Sequence, residues 1–436
     1  MMSDAIPTGK LKRAQVAGMA AVKVSARHLG HFSKRPFLSK KQAELHRQQV
    51  DDASAQTIFN TLSHLRGTAL KVAQMLSMES DLLPERYRLE LSKSYHQVPP
   101  LNRALIRKVV IAQLGDSPEN TFASFEAQAF AAASLGQVHA AISKQGQKLA
   151  VKVQYPGIAD TIQSDIQLVK SLTKALPESD MISPVLSEIE ARMLEETDYE
   201  LEAANARWFA QHLHMEQVSI PAVYEAWSSK QILCMQHLDG LHLHQWLETK
   251  PSQQQRDDFA QTIYDLYIHS VFELHQLHAD PNPGNYLFCN DGKLGLIDFG
   301  CIKSLTPVFT RNLSRLYQSI LHDDHETVFD AYRELGMLNT TVSDTIAKEY
   351  YQEVITPLGK WLSTPFEKNT FDFSANRGYA AQGLKMYDKI RTHRAFKSGY
   401  LKLNTDFVFT DRTLYGLYKM FEEMGATVRM QNRWTC

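Results

Sequence analysis

Two polar motifs separated by a hairpin signal constrain the fold of this 436-residue chain more than any other feature. The first motif is HADPNPGN (278–285), and the second is DFG (298–300). Between them, apolar runs at 285–289 and 294–298 flank Asn290–Gly292, and Asp-Gly between short apolar runs is a hairpin signal. Either motif alone is weak, but both at this spacing with a hairpin between them form a strong signal.

Phosphoryl transfer requires side chains of these types. Mg²⁺ is bound by one or two carboxylates together with phosphate oxygens and water, so Asp298 is the expected main metal ligand and Asn285 the second. Asp280 precedes Asn285 by five residues, which is the spacing of the catalytic loop in protein kinases. We therefore expect a site for ATP and Mg²⁺ in which Asp280 is catalytic.

An upstream strand carries the expected nucleotide-binding lysine. Residues 149–153 read LAVKV, which matches the strand on which kinases hold the lysine that pairs with the α- and β-phosphates. Such a lysine, here Lys152, needs a carboxylate partner. The run EETDYELE (195–202) offers several acids, and spacing does not choose among them. The alternative, an ordinary solvated strand lysine, is disfavoured by the downstream motifs.

The segment before that strand is rich in alanine where a kinase has glycine. Glycine lets backbone N–H groups approach phosphate, whereas each alanine restricts φ and fills space. Its position favours a phosphate-facing loop, although Ala131–Ala133 alone would also suit a strand packed under a helix. The expected nucleotide-binding residues here are Ala131, Ala132, Ala133, Ser134, Gly136, Gln137 and Val138.

From residue 122 onward, strand patterns precede helical patterns along the chain. Runs at 122–125, 129–142 and 148–155 predict an antiparallel sheet. Residues 183–214 predict one long helix beginning at Ser183. After Thr306 the pattern is helical with short breaks.

Composition excludes several classes of protein. The net charge of −1 argues against a nucleic-acid-coating protein, so we expect no nucleic-acid partner. Four cysteines without a CxxC pair suit a reducing compartment. The sequence contains no run of about 18 apolar residues, so we expect no membrane-spanning helix. We therefore expect a cytoplasmic protein.

Residues 1–50 hold ten Lys/Arg and two acids, which favours either peripheral binding to anionic lipid or a solvated tail.

Six blocks, in order, resemble the UbiB/AarF family of atypical kinases, also called the ABC-one or COQ-eight/ADCK-like family. The blocks are LRGTALKVAQMLS (65–77), AAASLGQVHAA (131–141), LAVKVQYPG (149–157), EETDYELEAAN (195–205), HADPNPGN (278–285) and LIDFG (296–300). The resemblance runs from about Leu62 to Leu305, more than half of the chain.

The resemblance implies an α+β, bilobal protein-kinase-like fold with an N-terminal helical extension and a helical C-terminal region. It implies that Glu202 is the helix partner of Lys152 and belongs to the nucleotide site. The expected segments are a basic N-terminal segment (1–50), a helical extension (51–121), an N-lobe (122–238) and a C-lobe with C-terminal helices (239–436).

The family's KxGQ motif, which projects into the active site and occludes it, reads Lys71-Val72-Ala73-Gln74 here. Lys71 and Gln74 match, with Lys71 also a catalytic candidate, whereas Ala73 replaces the glycine. Glu196 and Asp198 match the acids of an ExD motif, and the resemblance makes Glu196 the partner of Lys71. In the catalytic loop, Asn282 stands where many members have His.

The implied function is that of an ATP- and Mg²⁺-dependent atypical kinase or ATPase that supports isoprenoid-quinone (ubiquinone) or related lipid metabolism. The implied partners are nucleotide, an anionic membrane surface or isoprenoid lipid, and quinone-biosynthesis enzymes. Two alternatives stay open. An aminoglycoside- or choline-kinase-like phosphotransferase would share the catalytic loop but not the other blocks. A non-catalytic, nucleotide-dependent scaffold would not need all of Lys152, Asp280, Asn285 and Asp298.

Overall fold

The computed structural model describes residues 10–65, 72, 103–133, 135–173, 186–187, 189–191, 193–337, 349–383, 386, 393 and 404–430. The chain divides into two compact units. The first unit comprises Met1–Leu201 and Tyr224–Met235, and the second unit comprises Glu202–Val223 and Gln236–Cys436.

The first unit combines helices with a small sheet. Its described helices are α1 (Lys10–Lys34), α2 (Lys40–Leu65), α3 (Arg103–Leu114), α4 (Pro118–Thr121), α5 (Ile158–Thr173) and the start of α6 (Tyr199–His212). Its strands are β1 (Ser124–Phe125), β2 (Ala131–Ala133), β3 (Gly136–Ile142), β4 (Lys148–Gln154) and β6 (Ile232–Gln236).

The predicted antiparallel sheet is confirmed, with strand order β1-β3-β4-β6 and with β2 paired to β3. The prediction of one strand over 129–142 is wrong, because the chain reverses there and Ala133 of β2 lies opposite Gly136 of β3. In the β3–β4 ladder, Val138 lies opposite Lys152 and Gln137 opposite Val153. Since side chains alternate between the two faces of a strand, Gln137 and Lys152 belong to opposite faces.

Two apolar clusters stabilise the first unit. One lies between α3 and the sheet, where Val109 and Val110 pack with Val151 and Val153. The other joins α1, α2 and α5, and its members include Ala17, Val24, Leu62, Ile162 and Ile166.

The helical hairpin formed by α1 and α2 buries one side and exposes the other. Arg27 of α1 donates from Nη1 to Thr57 Oγ1 of α2 at 2.7 Å. At the turn, a short 3-10 helix spans Arg35–Phe37. Phe37 is 87% exposed there. In the described ranges, no helix is long and apolar enough to cross a membrane.

The long helix predicted over 183–214 is interrupted. Residues 193–195 are helical, a turn follows at 196–197, and α6 begins at Tyr199. The Asp198 carboxylate accepts hydrogen bonds from the backbone N–H groups of Glu200 (3.2 Å) and Leu201 (3.1 Å). This N-cap starts a new helix at Tyr199, so the prediction of one continuous helix over 183–214 is wrong. Ser183 lies outside the described residues.

The second unit is mainly helical. Its described α-helices, besides the rest of α6, are α7 (Leu243–Glu248), α8 (Gln253–Phe272), α9 (Pro307–Leu321), α10 (His325–Glu334), α11 (Thr356–Ser363) and α12 (Thr405–Met424), and a π-helix spans Tyr351–Ile355. Its strands are β5 (Val218–Ser219), β7 (Gly240–Leu241), β8 (Gln276–His278), β9 (Tyr286–Cys289), β10 (Leu294–Leu296), β11 (Ile302–Ser304), β12 (Phe371–Asp372) and β13 (Thr427–Val428).

The predicted hairpin is confirmed as β9–β10, within a sheet of order β5-β10-β9-β7. β8 pairs with β11. The helical prediction beyond Thr306 misses one antiparallel pair, β12 with β13. Those strands have two residues each, which is too short for a periodic signal.

The pH dependence of stability should report on His139 of β3. Its fully buried ring lies 2.8 Å (Nδ1) from the Glu126 carbonyl oxygen and 2.9 Å (Nε2) from Gln137 Nε2. Burial lowers the pKa of His139 below its ordinary value of 6.5. The unfolded chain therefore gains a proton first, and the free energy of unfolding falls as the pH drops through about 6.5, by at most about 1.4 kcal/mol per pH unit.

We expect His139→Gln to weaken this slope, measured by denaturant unfolding between about pH 8 and 5. His214→Gln, at an exposed histidine, is the matched control and should retain it. An unchanged slope in His139→Gln would contradict the assignment.

Candidate functional site

The loop 279–285 of the second unit brings Asp280 and Asn285 together. Asn285 donates from Nδ2 to the Asp280 carboxylate at 2.9 Å and to the Asp280 main-chain oxygen at 3.1 Å. Asn282 Oδ1 accepts from the Gly284 N–H at 2.9 Å and begins the 3-10 turn Pro283–Asn285. The loop is therefore closed by its own side chains.

The DFG segment is bonded to the same loop. The Ile297 N–H donates to the Asn285 carbonyl oxygen at 3.0 Å. The His278 ring lies with Nε2 2.7 Å from the Asp298 carbonyl oxygen. Asp298 Oδ1 accepts from the Gly300 N–H at 3.0 Å. The backbone at Asp298 is thus held against the loop that carries Asp280 and Asn285.

The aromatic residue of the DFG segment packs against α6. Phe299 is fully buried, with its ring centroid 5.6 Å from that of Phe209. Asn205 of α6 donates from Nδ2 to the Phe299 carbonyl oxygen at 3.0 Å. The contact of Asn205 with Phe299 was not predicted, because the only sequence signal for it was the place of Asn205 at the end of EETDYELEAAN.

The oxygen atoms of this loop suit Mg²⁺. Asp298 supplies a carboxylate, and Asn285 supplies an amide oxygen because its nitrogen is committed to Asp280. These are hard ligands of the type that Mg²⁺ prefers, with phosphate and water completing the shell. No cluster of three or more His, Cys, Asp or Glu side chains able to hold a metal occurs in the described part of the chain.

Asp280 also influences a buried tyrosine. Tyr286 follows the 3-10 turn as the first residue of β9. Burial, and secondly the negative charge of Asp280, raise the pKa of Tyr286. The phenol of Tyr286 therefore stays protonated at neutral pH.

The first unit contains Lys152, the expected nucleotide-binding lysine. Lys152 is buried on β4, and its ammonium lies 5.1 Å from the ring centroid of Tyr199. A cation over a tyrosine face is stabilised by the ring quadrupole. Tyr199 was missed by the sequence analysis, because no local pattern pairs it with Lys152.

Gly136 begins β3 where a side chain would not fit. A Cβ there would lie 2.4 Å from the Val153 carbonyl oxygen and 2.8 Å from Tyr199 Oη. Real Cβ atoms essentially never come within 3.0 Å of another heavy atom, and the nearer obstacle here is a main-chain oxygen, which can move only if β4 shifts. Glycine at this position allows the backbone of β3, β4 and the Tyr199 side chain to approach closely.

Gln137 differs from its neighbours. Its side chain is buried and contacts the His139 ring, on the face of β3 opposite to Val138. A nucleotide contact by Gln137 stays a prediction and would use its backbone. Ala131 and Val138 are paired across β2 and β3.

Several predicted site residues stay untested. Ser134, Lys71 and Gln74 lie outside the described residues, as does Ala73. Asp198 is the N-cap of α6. Two pairings stay predictions: that of Lys152 with Glu202, which is buried in α6, and that of Lys71 with Glu196.

An antiparallel sheet with a buried lysine, followed by a helical unit with an HxDxxxxN loop and a DFG hairpin, defines a protein-kinase-like protein. Residues 93–332 match the model of the ABC1 atypical kinase-like domain. This match covers more than half of the chain, which therefore belongs to the ABC1 atypical kinase-like family. The resemblance inferred from the sequence blocks and the α+β kinase-like fold are both confirmed.

Named relatives agree with this family. The chain is 30% identical over 321 residues to "Protein ACTIVITY OF BC1 COMPLEX KINASE 8, chloroplastic" of Arabidopsis thaliana, a match covering 71% of this chain and 42% of the relative. It is 28% identical over 377 residues to "Atypical kinase COQ8B, mitochondrial" of Danio rerio, covering 84% of this chain and 60% of the relative. The chain thus spans about half of the length of these relatives.

A solved structure shares the fold. It is the erythromycin complex of Rv3197 from Mycobacterium tuberculosis, with a TM-score of 0.59 and 25% sequence identity. The match covers 90% of this chain and 97% of that chain.

We expect Gly136→Ala to lower the free energy of unfolding by about 1–3 kcal/mol, because the added methyl group meets main-chain oxygen. Gly30→Ala in α1 is the matched control, since a Cβ there has no neighbour within 4 Å. It should be neutral or stabilising by up to about 1 kcal/mol. Denaturant unfolding of both variants measures the difference, and equal effects would disprove the steric role of Gly136.

Proposed function

We propose that this protein binds ATP with Mg²⁺ and acts as an atypical kinase or ATPase. The observation that carries the proposal is the bonded set of Asp280, Asn285 and Asp298: Asp280 accepts from Asn285, and the Asn285 carbonyl accepts from the residue before Asp298. Asp298 and Asn285 would hold Mg²⁺, which neutralises phosphate charge when bound.

Each of the other predicted site residues is assigned a role that its side-chain or backbone chemistry allows. Asp280 would orient or deprotonate the phosphate acceptor, whether that is water or a substrate hydroxyl. Lys152 would pair with the α- and β-phosphates and Glu202 would hold Lys152. The backbone of the Ala-rich segment 131–138 would face the phosphates. Lys71 and Gln74 would occlude the protein-substrate groove, with Glu196 as the partner of Lys71 and Asp198 beside it.

The proposed context is isoprenoid-quinone (ubiquinone) or related lipid metabolism, with quinone-biosynthesis enzymes as partners. The relatives named COQ8 and the family membership support it. Against an aminoglycoside- or choline-kinase-like enzyme stand the Ala-rich segment and the block 195–205, which that class does not share. A non-catalytic scaffold would not require the Asp280–Asn285 bond.

We expect the purified chain to hydrolyse ATP with Mg²⁺, and Asp298→Asn to lower turnover by about a hundredfold or more, because a charge interaction worth several kcal/mol at the metal is lost. Asp291→Asn is the matched control: the residue is exposed in the turn of the same hairpin, and Asn-Gly forms that turn equally well. Its turnover should stay at the wild-type level.

The outcomes separate the alternatives. Nucleotide binding without turnover, with or without liposomes, would favour the scaffold. Phosphate transfer to choline or an aminoglycoside would favour the small-molecule kinase. Equal turnover in wild type and Asp298→Asn would refute the assignment of Asp298 as the metal ligand.

Peripheral binding to anionic lipid is the second part of the proposal, and the hairpin tip (residues 29–41) supports it. Leu29, Phe32 and Phe37 are 68%, 55% and 87% exposed. The same segment carries exposed Lys34, Arg35, Lys40 and Lys41, and no acid occurs from residue 5 to residue 43. Apolar side chains among cations match an anionic bilayer surface.

We expect the double variant Phe32→Ser/Phe37→Ser to weaken co-sedimentation with anionic liposomes at least about tenfold, since two partly inserted rings are lost. Val308→Ser, at a 62% exposed apolar residue of α9, is the control and should bind like wild type. Wild-type binding should weaken with salt. Point variants are needed because deleting residues 1–50 would also remove Ala17 and Val24 from the core. Unchanged binding in the double variant would exclude the tip as the lipid contact.

A further inference from the structure

The ring of His278 has one satisfied nitrogen and one that is buried without a partner. Nε2 lies 2.7 Å from the Asp298 carbonyl oxygen, and because a carbonyl only accepts, Nε2 carries the proton. In the neutral ring Nδ1 is then an acceptor. His278 is only 6% exposed, and Nδ1 has no hydrogen-bond partner among the described atoms.

A second buried group without a partner lies at the same place. Ser270 of α8 is 1% exposed, and its Oγ has no hydrogen-bond partner in the described ranges. Ser270 and His278 line one cavity of about 10 Å³, together with Thr413 of α12. Buried polar groups are nearly always hydrogen-bonded, so two such groups at one cavity require a common explanation.

The size and the hydrogen-bonding capacity of the cavity match one water molecule. A cavity of about 10 Å³ is large enough for one water molecule, which typically makes two to four hydrogen bonds. Thr413 donates its own proton to the Phe409 carbonyl oxygen at 2.8 Å, which leaves its lone pairs to accept.

We propose that this cavity binds one structural water. The Ser270 hydroxyl donates to it, and the water donates to His278 Nδ1 and to Thr413 Oγ1. Ser270 then has an acceptor for its proton, and His278 Nδ1 has a donor.

This water makes Ser270 a positioning residue for the DFG segment. It orients the His278 ring, which bonds the Asp298 main chain. The same face of α12 supports the catalytic loop: a Cβ on Gly416 would lie 2.4 Å from Cγ of Pro281, so only glycine lets the helix come this close. The effect on activity rests on the proposed function, whereas the water site does not.

The first test is a crystal structure of the wild-type chain at a resolution that defines waters. We expect one ordered water within about 2.7–3.2 Å of Ser270 Oγ, His278 Nδ1 and Thr413 Oγ1. A dry cavity, or a direct bond between Ser270 and His278, would overturn the proposal. Neither result depends on ATP turnover, so this test and that of the proposed function can fail separately.

The second test is ¹⁵N NMR of the histidine-labelled protein, with the His278 signals assigned by their loss in His278→Gln. Ser270→Ala should shift the Nδ1 resonance of His278, because the water loses its donor. Ser363→Ala is the matched control, at a helical serine that is also 1% exposed, and should leave that resonance unchanged. Ser270→Thr, which keeps the hydroxyl, should retain more of the wild-type shift than Ser270→Ala. An identical spectrum in wild type and Ser270→Ala would reject the bridge.

Discussion

Backbone pairing on both sides of the loop 279–285 holds the two polar motifs of the second unit in register. Before the loop, β8 pairs with β11, so His278 lies opposite Ile302 just beyond the DFG segment. After the loop, β9 pairs with β10, and Asn285 accepts from Ile297. Moving Asp298 relative to Asp280 would break both ladders. The geometry of three acidic and amide side chains therefore depends on main-chain hydrogen bonds, which their own substitution would leave in place.

In the first unit, the group that must be stabilised is a buried positive charge, the ammonium of Lys152. An isolated buried ammonium is costly unless it is compensated. Lys152 lies over the Tyr199 ring, and the hydroxyl of the same tyrosine is near the position a Cβ on Gly136 would take. Tyr199 thus contacts the lysine strand and limits the residue at the start of β3. This crowding explains why glycine occurs at 136 even though alanine fills positions 131–133 of the same segment.

Much of the fold could be predicted from local signals. Strand-like runs between residues 122 and 155 indicated the antiparallel sheet, Asp291-Gly292 indicated the hairpin, and the six sequence blocks indicated the kinase-like class. The structure or the family match confirmed all three. The errors were local too. The reversal between β2 and β3 falls between Ala133 and Gly136, where no Asn-Gly or Asp-Gly pair marks a hairpin turn. The cap at Asp198 interrupted a stretch whose helical composition continued on both sides.

The sequence by itself determined the chemical types of the site and their spacing: an HxDxxxxN loop, a DFG segment after a hairpin, and a lysine on a strand. These are features of neighbouring residues, and turn chemistry and strand periodicity act over that range. Only the tertiary structure decided which distant residues support them, as with Tyr199 beside Lys152, Asn205 on Phe299 and Gly416 against Pro281. Such contacts arise where separate elements pack, and packing depends on shape and volume in three dimensions, which no short stretch of sequence specifies.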